Sequence, residues 1–205
     1  GMTAEEFMTK VKRHLGLKQL WVGHDFALGH GREGNVPVLR RLGENMGFQV
    51  HAFSPIALDG HIISSSQIRA WIMNGEIDRA TRALGRPYRV SGLVVPGDGR
   101  GRTIGIPTAN LETWENLVLP GIGVYACQAR VNGLDGKIWG AVTNVGLRPT
   151  FEQTTLIPRV EAYLLNFEAD LYGKQVSLDF YARLRDEQRF SDAQALVAQI
   201  HVDIA

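Results

Sequence analysis

Apolar and polar positions follow two different rules along this chain. Up to Leu84 apolar residues recur at helical spacing between short apolar runs, and beyond Tyr88 they come in brief stretches separated by turn residues. Thr3-x-x-Glu6 is a capping box, which opens a helix carrying Phe7, Val11 and Leu15 on one side. The run Leu20-Trp21-Val22 predicts a short strand, followed by a loop with Gly23, Gly29, Gly31 and Gly34. A helix over 38–46, a strand over 48–53 and a second capping box, Ser64-x-x-Gln67, continue the series, the last turning Ile68, Trp71 and Ile72 toward a core. A short helix with Ile77, Ala80 and Leu84 then stops at Gly85-Arg86-Pro87, a C-cap glycine and a proline that cannot extend it. This alternation predicts an α/β unit over residues 2–84.

Strands dominate from residue 85 to 205. They are predicted over 88–95, 123–131, 137–144, 159–166 and 175–183, with turn signals such as Asn132-Gly133 and Asp135-Gly136 between them. Short strands at that spacing predict an antiparallel barrel or sandwich. Ser191-x-x-Gln194 is a capping box for a closing helix whose inner face carries Ala195, Leu196 and Ile200.

Composition narrows the function classes. The 205 residues carry a net charge of +1 and are 44% hydrophobic, with no basic stripe interleaved with aromatics, so neither a nucleic-acid nor a membrane partner is expected. No stretch approaches the ~20 apolar residues of a membrane span. Cys127 is the one cysteine, which excludes an internal disulfide and a cysteine zinc site and fits a reducing cytoplasm. The six histidines form no His-x-x-x-His pair, and Ser64, Ser65 and Ser66 follow no Gly-x-Ser-x-Gly elbow. Gly1 before Met2 reads as the remnant of a cleaved tag, so a piece of a longer protein is expected.

Candidate chemistry concentrates in residues 97–110. Gly97, Gly99 and Gly101 let backbone amides approach phosphate oxygens, and Arg100 and Arg102 add fixed positive charge; Asp98 and Thr103 complete the run. Walker A is excluded because no lysine occurs over 90–110, and the Rossmann fingerprint fails because Arg102 or Ile104 stands where its third glycine belongs. On its own the loop reads equally well as a connector between strands. Thr108 and Asn110, two residues apart on a segment held extended by Pro107, present hard oxygen ligands to one face, as a Mg2+ site requires. Farther on, Val160, Ala162 and Leu164 share one face of a strand and leave Glu161 and Tyr163 on the other. An isolated glutamate there ordinarily faces solvent.

Taken in order, these blocks resemble the riboflavin kinase domain of the bacterial bifunctional riboflavin kinase/FMN adenylyltransferase family. The similarity runs through residues 84–88, the Gly-Asp-Gly-Arg-Gly-Arg-Thr loop, Pro107-Thr108-Ala109-Asn110, Leu119-Pro120, Gly123-Val124-Tyr125, Asn144-Val145-Gly146, residues 148–151, Val160-Glu161, residues 170–174 and residues 184–190. The resemblance implies a six-stranded antiparallel β-barrel with a C-terminal helix, located in the cytoplasm. It implies ATP as co-substrate, bound by residues 97–103 and Thr108, with Mg2+ on Thr108 and Asn110. Glu161 is implied as general base for the ribityl hydroxyl of riboflavin, and Asn110, Asp186, Arg189 and Phe190 as the flavin side. Phosphoryl transfer suits such a set, because it needs an in-line hydroxyl, a metal and positive charge rather than covalent help.

The front half resembles the FMN adenylyltransferase domain of the same family. Ile63-Ser64-Ser65-Ser66-x-Ile68-Arg69 is similar to its second signature, in which the serines and Arg69 would meet nucleotide phosphates, although the same serines serve as a plain helix start. Val22-Gly23-His24-Asp25-Phe26-x-x-Gly29 is similar to a middle block, with Ala27 and Leu28 where the family has arginine and phenylalanine. The family's opening His-x-Gly-His element has no counterpart here. The expected architecture is therefore half of a Rossmann-like nucleotidyltransferase domain followed by a complete kinase barrel. Riboflavin kinase activity, giving FMN and ADP, is the expected function. Retained FMN adenylyltransferase activity and a noncatalytic flavin or nucleotide carrier are the alternatives.

Overall fold

The chain folds into two compact units, residues 1–63 and 64–205. The computed structural model describes every residue except Asp98, Arg100, Arg102, Thr103, Asp135, Phe151 and Glu152, and gives backbone alone for 148–150 and 153–157.

In the first unit, α1 (Ala4–Leu15) opens on the expected Thr3 and Glu6 capping box and closes on left-handed Gly16. Its buried face differs from the expected one. Ala4 and Met8 are buried, whereas Phe7 and Leu15 are 44% and 78% exposed. The cause lies in the glycine loop: a β-carbon on Gly29 or Gly34 would come within 2.6 Å of Ala4, so these glycines let the backbone lie against the start of the helix. Strands β1 (Gln19–Gly23) and β4 (Gln49–Phe53) pair in parallel, β2 (Ala27–Leu28) pairs with β3 (Gly34–Asn35), and β5 (Ala57–Leu58) pairs with β6 (His61–Ile62). Helix α2 (Val36–Met46) begins two residues before the expected start, because Asn35 accepts the Val38 amide and Pro37 sits in the first turn.

The second unit starts with α3 (Ser65–Met73), capped by Ser64 as expected, and α4 (Ile77–Leu84), which buries Ile77 and Ala80 and ends on left-handed Gly85. Six strands follow: β7 (Tyr88–Val95), β8 (Ala109–Thr113), β9 (Gly123–Val131), β10 (Trp139–Thr150), β11 (Gln153–Leu164) and β12 (Gln175–Arg185). They close into a barrel in the order β10-β11-β8-β7-β12-β9, every pairing antiparallel. Strict alternation fills it. Tyr125, Cys127, Ala129 and Val131 of β9 point inward with Val176, Leu178 and Phe180 of β12, and the Tyr125 and Phe180 rings meet edge to face at 5.3 Å. Each such large side chain removed from water contributes about 1.5–3 kcal/mol.

Helix α5 (Ala193–Ile204) closes the unit. Its cap is Asp192, whose carboxylate accepts the Ala195 amide at 2.9 Å, and not Ser191 as the capping-box spacing predicts. Ser191 instead donates to Asp192, and aspartate is at least as good an acceptor as serine at that position.

Candidate functional site

The barrel interior is packed with side chains, so a candidate site has to be sought on its outer wall. There β8 sets Asn110 opposite Glu161 of β11, and β10 sets Asn144 opposite Glu161 from the other side. The row continues through Val124 of β9 to Arg185 of β12. Directly paired residues of neighbouring strands present their side chains to one face.

Over this row lies a cleft of ≈ 430 Å³. Its walls are Ile104, Ile106 and Thr108 on one side, Asn144, Glu161 and Tyr163 on the barrel, Glu187 and Phe190 after β12, and Leu196 and Asp203 from α5. Glu161 is half-buried, with Arg159 Nη1 at 3.3 Å from its Oε1.

Two glycines shape one end of the site. Gly97 lies so close to Asn110 that a β-carbon there would overlap the Asn110 Nδ2. The Gly101 carbonyl accepts from the amides of Ile104 and Ile106, at 3.2 and 2.9 Å, which folds the chain back and brings Thr108 Oγ1 within reach of Gly101. Asn110 is 7% exposed, and among the described residues its Oδ1 has no hydrogen-bond partner. Such a buried acceptor is costly unless a ligand completes it. No three His, Cys, Asp or Glu side chains converge among the described residues, and Thr108 and Asn110 offer neutral oxygens of the hard kind that Mg2+ takes.

At the other end, Arg185 forms a fork with Asp203 of α5, and Gln199 Nε2 donates to the same carboxylate at 3.0 Å. Burial alone would raise the Asp203 carboxyl, but the Arg185 guanidinium and the Gln199 amide outweigh it and hold it below its ordinary value.

Of the residues expected from sequence, Gly101, Thr108, Glu161 and Phe190 line the cleft, with Asn110 in the same row and Gly97 against it. Gly99 is exposed. Asp186 and Arg189 are exposed and do not line it; the Asp186 carboxylate pairs with Arg183 at 2.7 Å. Asp98, Arg100, Arg102 and Thr103 lie outside the described residues. Ser64 caps α3, with Ser65, Ser66 and Arg69 exposed along its first turns. Sequence reasoning missed Asn144, Glu187, Arg185 and Asp203. Asn144 carried the same signal as Glu161, a polar residue in an apolar strand. Glu187 is accommodated by Gly146, where a β-carbon would overlap its carboxylate, and it accepts from Asn144 Nδ2 at 3.2 Å.

A family model described as riboflavin kinase matches residues 84–205, and one described as FAD synthetase matches residues 1–67. The bifunctional riboflavin kinase/FMN adenylyltransferase of Pseudomonas fluorescens is 38% identical over 205 residues, covering 100% of this chain and 64% of that protein. The Escherichia coli K12 protein of the same name is 38% identical over 203 residues, covering 98% and 63%. The chain therefore spans somewhat less than two thirds of the length of these relatives. A crystal structure described as a macrolide-efflux protein from Streptococcus pneumoniae matches with a TM-score of 0.86 at 30% identity, over 100% of this chain and 64% of that one. Among the described residues of this chain no helix is long and apolar enough to cross a membrane.

Proposed function

The chain belongs to the riboflavin kinase family through residues 84–205, and from that premise we propose that it transfers the γ-phosphoryl group of ATP to the ribityl 5′-hydroxyl of riboflavin, giving FMN and ADP. The observation that carries this reading is the register of the outer wall. Asn110 and Glu161 are cross-strand neighbours, and Glu161 shares its cleft with Thr108 and Phe190.

In this reading Glu161 orients the acceptor hydroxyl and takes its proton as the phosphoryl group arrives, while Arg159 holds the carboxylate in place. Phe190 offers an apolar ring to the flavin. Gly97 and Gly101 keep backbone close over the phosphate end, and Arg100 and Arg102 of the same sequence run are the candidate phosphate partners. Thr108 and Asn110 Oδ1, which has no partner among the described residues, would hold Mg2+. Bound there, Mg2+ supplies charge neutralisation on the β- and γ-phosphates.

We assign the kinase to residues 85–205 and an adenylyltransferase-like segment to residues 2–84, with the exposed Ser64, Ser65, Ser66 and Arg69 as the latter's phosphate contacts. Cytoplasmic residence belongs to the same proposal. Incubating the chain with riboflavin, ATP and Mg2+ and separating the flavins by chromatography tests it. FMN is the expected product. FAD in addition would show adenylyl transfer by this chain, and folded protein yielding neither product would overturn the kinase reading in favour of a flavin or nucleotide carrier.

A further inference from the structure

We infer that Arg185 is a positioning residue for the flavin, locking α5 and Phe190 against the barrel wall so that the acceptor slot is preformed; the inference rests on the riboflavin kinase reading. Arg185 is the last residue of β12, in the same row as Asn144 and Glu161. Its side chain ties three segments together. Nε and Nη2 reach the two oxygens of Asp203 at 2.9 and 2.8 Å, Nη1 donates to the Asp186 carbonyl at 3.0 Å, and the Phe190 ring centre lies 5.7 Å from Cζ.

Burial shows that this is no incidental surface pair. The Asp203 side chain is 3% exposed and that of Arg185 19%, and Gln199 occupies a further lone pair of the carboxylate. Buried ion pairs are a weak source of net stability, because desolvating two charges offsets their attraction. This one borders the cleft rather than the barrel core. What it supplies is direction. A planar fork fixes the angle between strand and helix while its Cζ sits over the Phe190 ring, a combination that a lysine ammonium does not reproduce. With its fork engaged by Asp203, Arg185 is not presented to a phosphate. The slot it frames suits a flat, uncharged ring.

The test compares Arg185→Lys, Asp203→Asn and Gln199→Leu with the parent chain, measuring kcat, the KM for riboflavin, the KM for ATP, and riboflavin binding without ATP by quenching of its fluorescence. The expected result is a rise of about tenfold or more in riboflavin KM and Kd for the first two variants, with ATP KM within about twofold. Gln199→Leu, which leaves both charges paired, should raise riboflavin KM by about two- to threefold. Unchanged riboflavin affinity, or equal losses toward ATP and riboflavin, overturns the positioning role. If the charge variants fail to fold, Gln199→Leu decides, and a riboflavin KM equal to that of the parent overturns the inference. A parent chain that binds riboflavin but makes no FMN would sink the kinase reading, and the binding series would still decide the role of Arg185.

Discussion

Asn110 and Glu161 are direct partners across the β8 and β11 ladder, so a buried carboxamide and a half-buried carboxylate stand side by side on the outer wall of a packed barrel. The proposed proton acceptor and the candidate metal ligand are thus held at a spacing set by backbone hydrogen bonds.

Replacing Glu161 by Gln keeps the shape and removes the proposed base. The variant should lose about 10²–10⁴ in kcat, with riboflavin Kd within about threefold of the parent. Steady-state rates and a flavin fluorescence titration check it. A rate near that of the parent would remove Glu161 from the chemistry.

Gly97→Ala should act at a distance of one residue's width. Its backbone is not in the left-handed region, so alanine is tolerated there, but the new methyl would displace the Asn110 amide. The expected result is a rise of about tenfold in the Mg2+ concentration needed for half-maximal rate, with thermal stability lowered by no more than about 1 kcal/mol. Activity at varied Mg2+ together with a melting curve reads both effects.

Asp179 lies on another part of the barrel wall between Arg89, whose Nε approaches to 2.6 Å, and Arg130. Burial pushes its carboxyl up, but the two guanidinium groups outweigh it, so the folded value lies below the ordinary 3.8. A depressed folded value means the contribution is complete above pH 3.8 and is lost as pH falls through the folded value. Asp179→Asn should therefore flatten the fall in stability below pH 3.8, as seen by urea unfolding at a series of pH values. An unchanged acid limb would refute this.

Cys127 is buried in the barrel, and desolvation pushes its thiol up to about 12. Native protein at pH 8 should resist alkylation by iodoacetamide, and unfolded protein should label at the ordinary rate of a free thiol. Mass spectrometry over time distinguishes the two, and fast labelling of the native form would mean the barrel opens readily.

Strands β7 and β9 match their sequence expectation to the residue, because unbroken alternation between turn signals leaves one register. Strand β10 starts at Trp139 and runs past 144 to Thr150, and β11 starts at Gln153 and ends at Leu164, making a long hairpin in which Pro149 pairs with Leu156 and Pro158 with Leu147. Proline lacks the amide that a ladder uses, yet both sit within this one. The Thr108, Asn110 and Glu161 spacing was legible because polar residues interrupt apolar alternation. Arg185 and Asp203 were not, since a charge near a strand end and another in a helix's last turn look like ordinary surface until the fold brings them together.

In β11 the inward Val160, Ala162 and Leu164 alternate with the outward Glu161 and Tyr163. Insertion or deletion of one residue within this strand would send the carboxylate into the hydrocarbon interior and the aliphatic residues into the cleft, ending folding and chemistry together. Point changes inside the barrel leave the cleft's composition untouched. Natural variation in this segment should therefore be by substitution and never by length, and stability and substrate preference should evolve on alternate positions of a single strand.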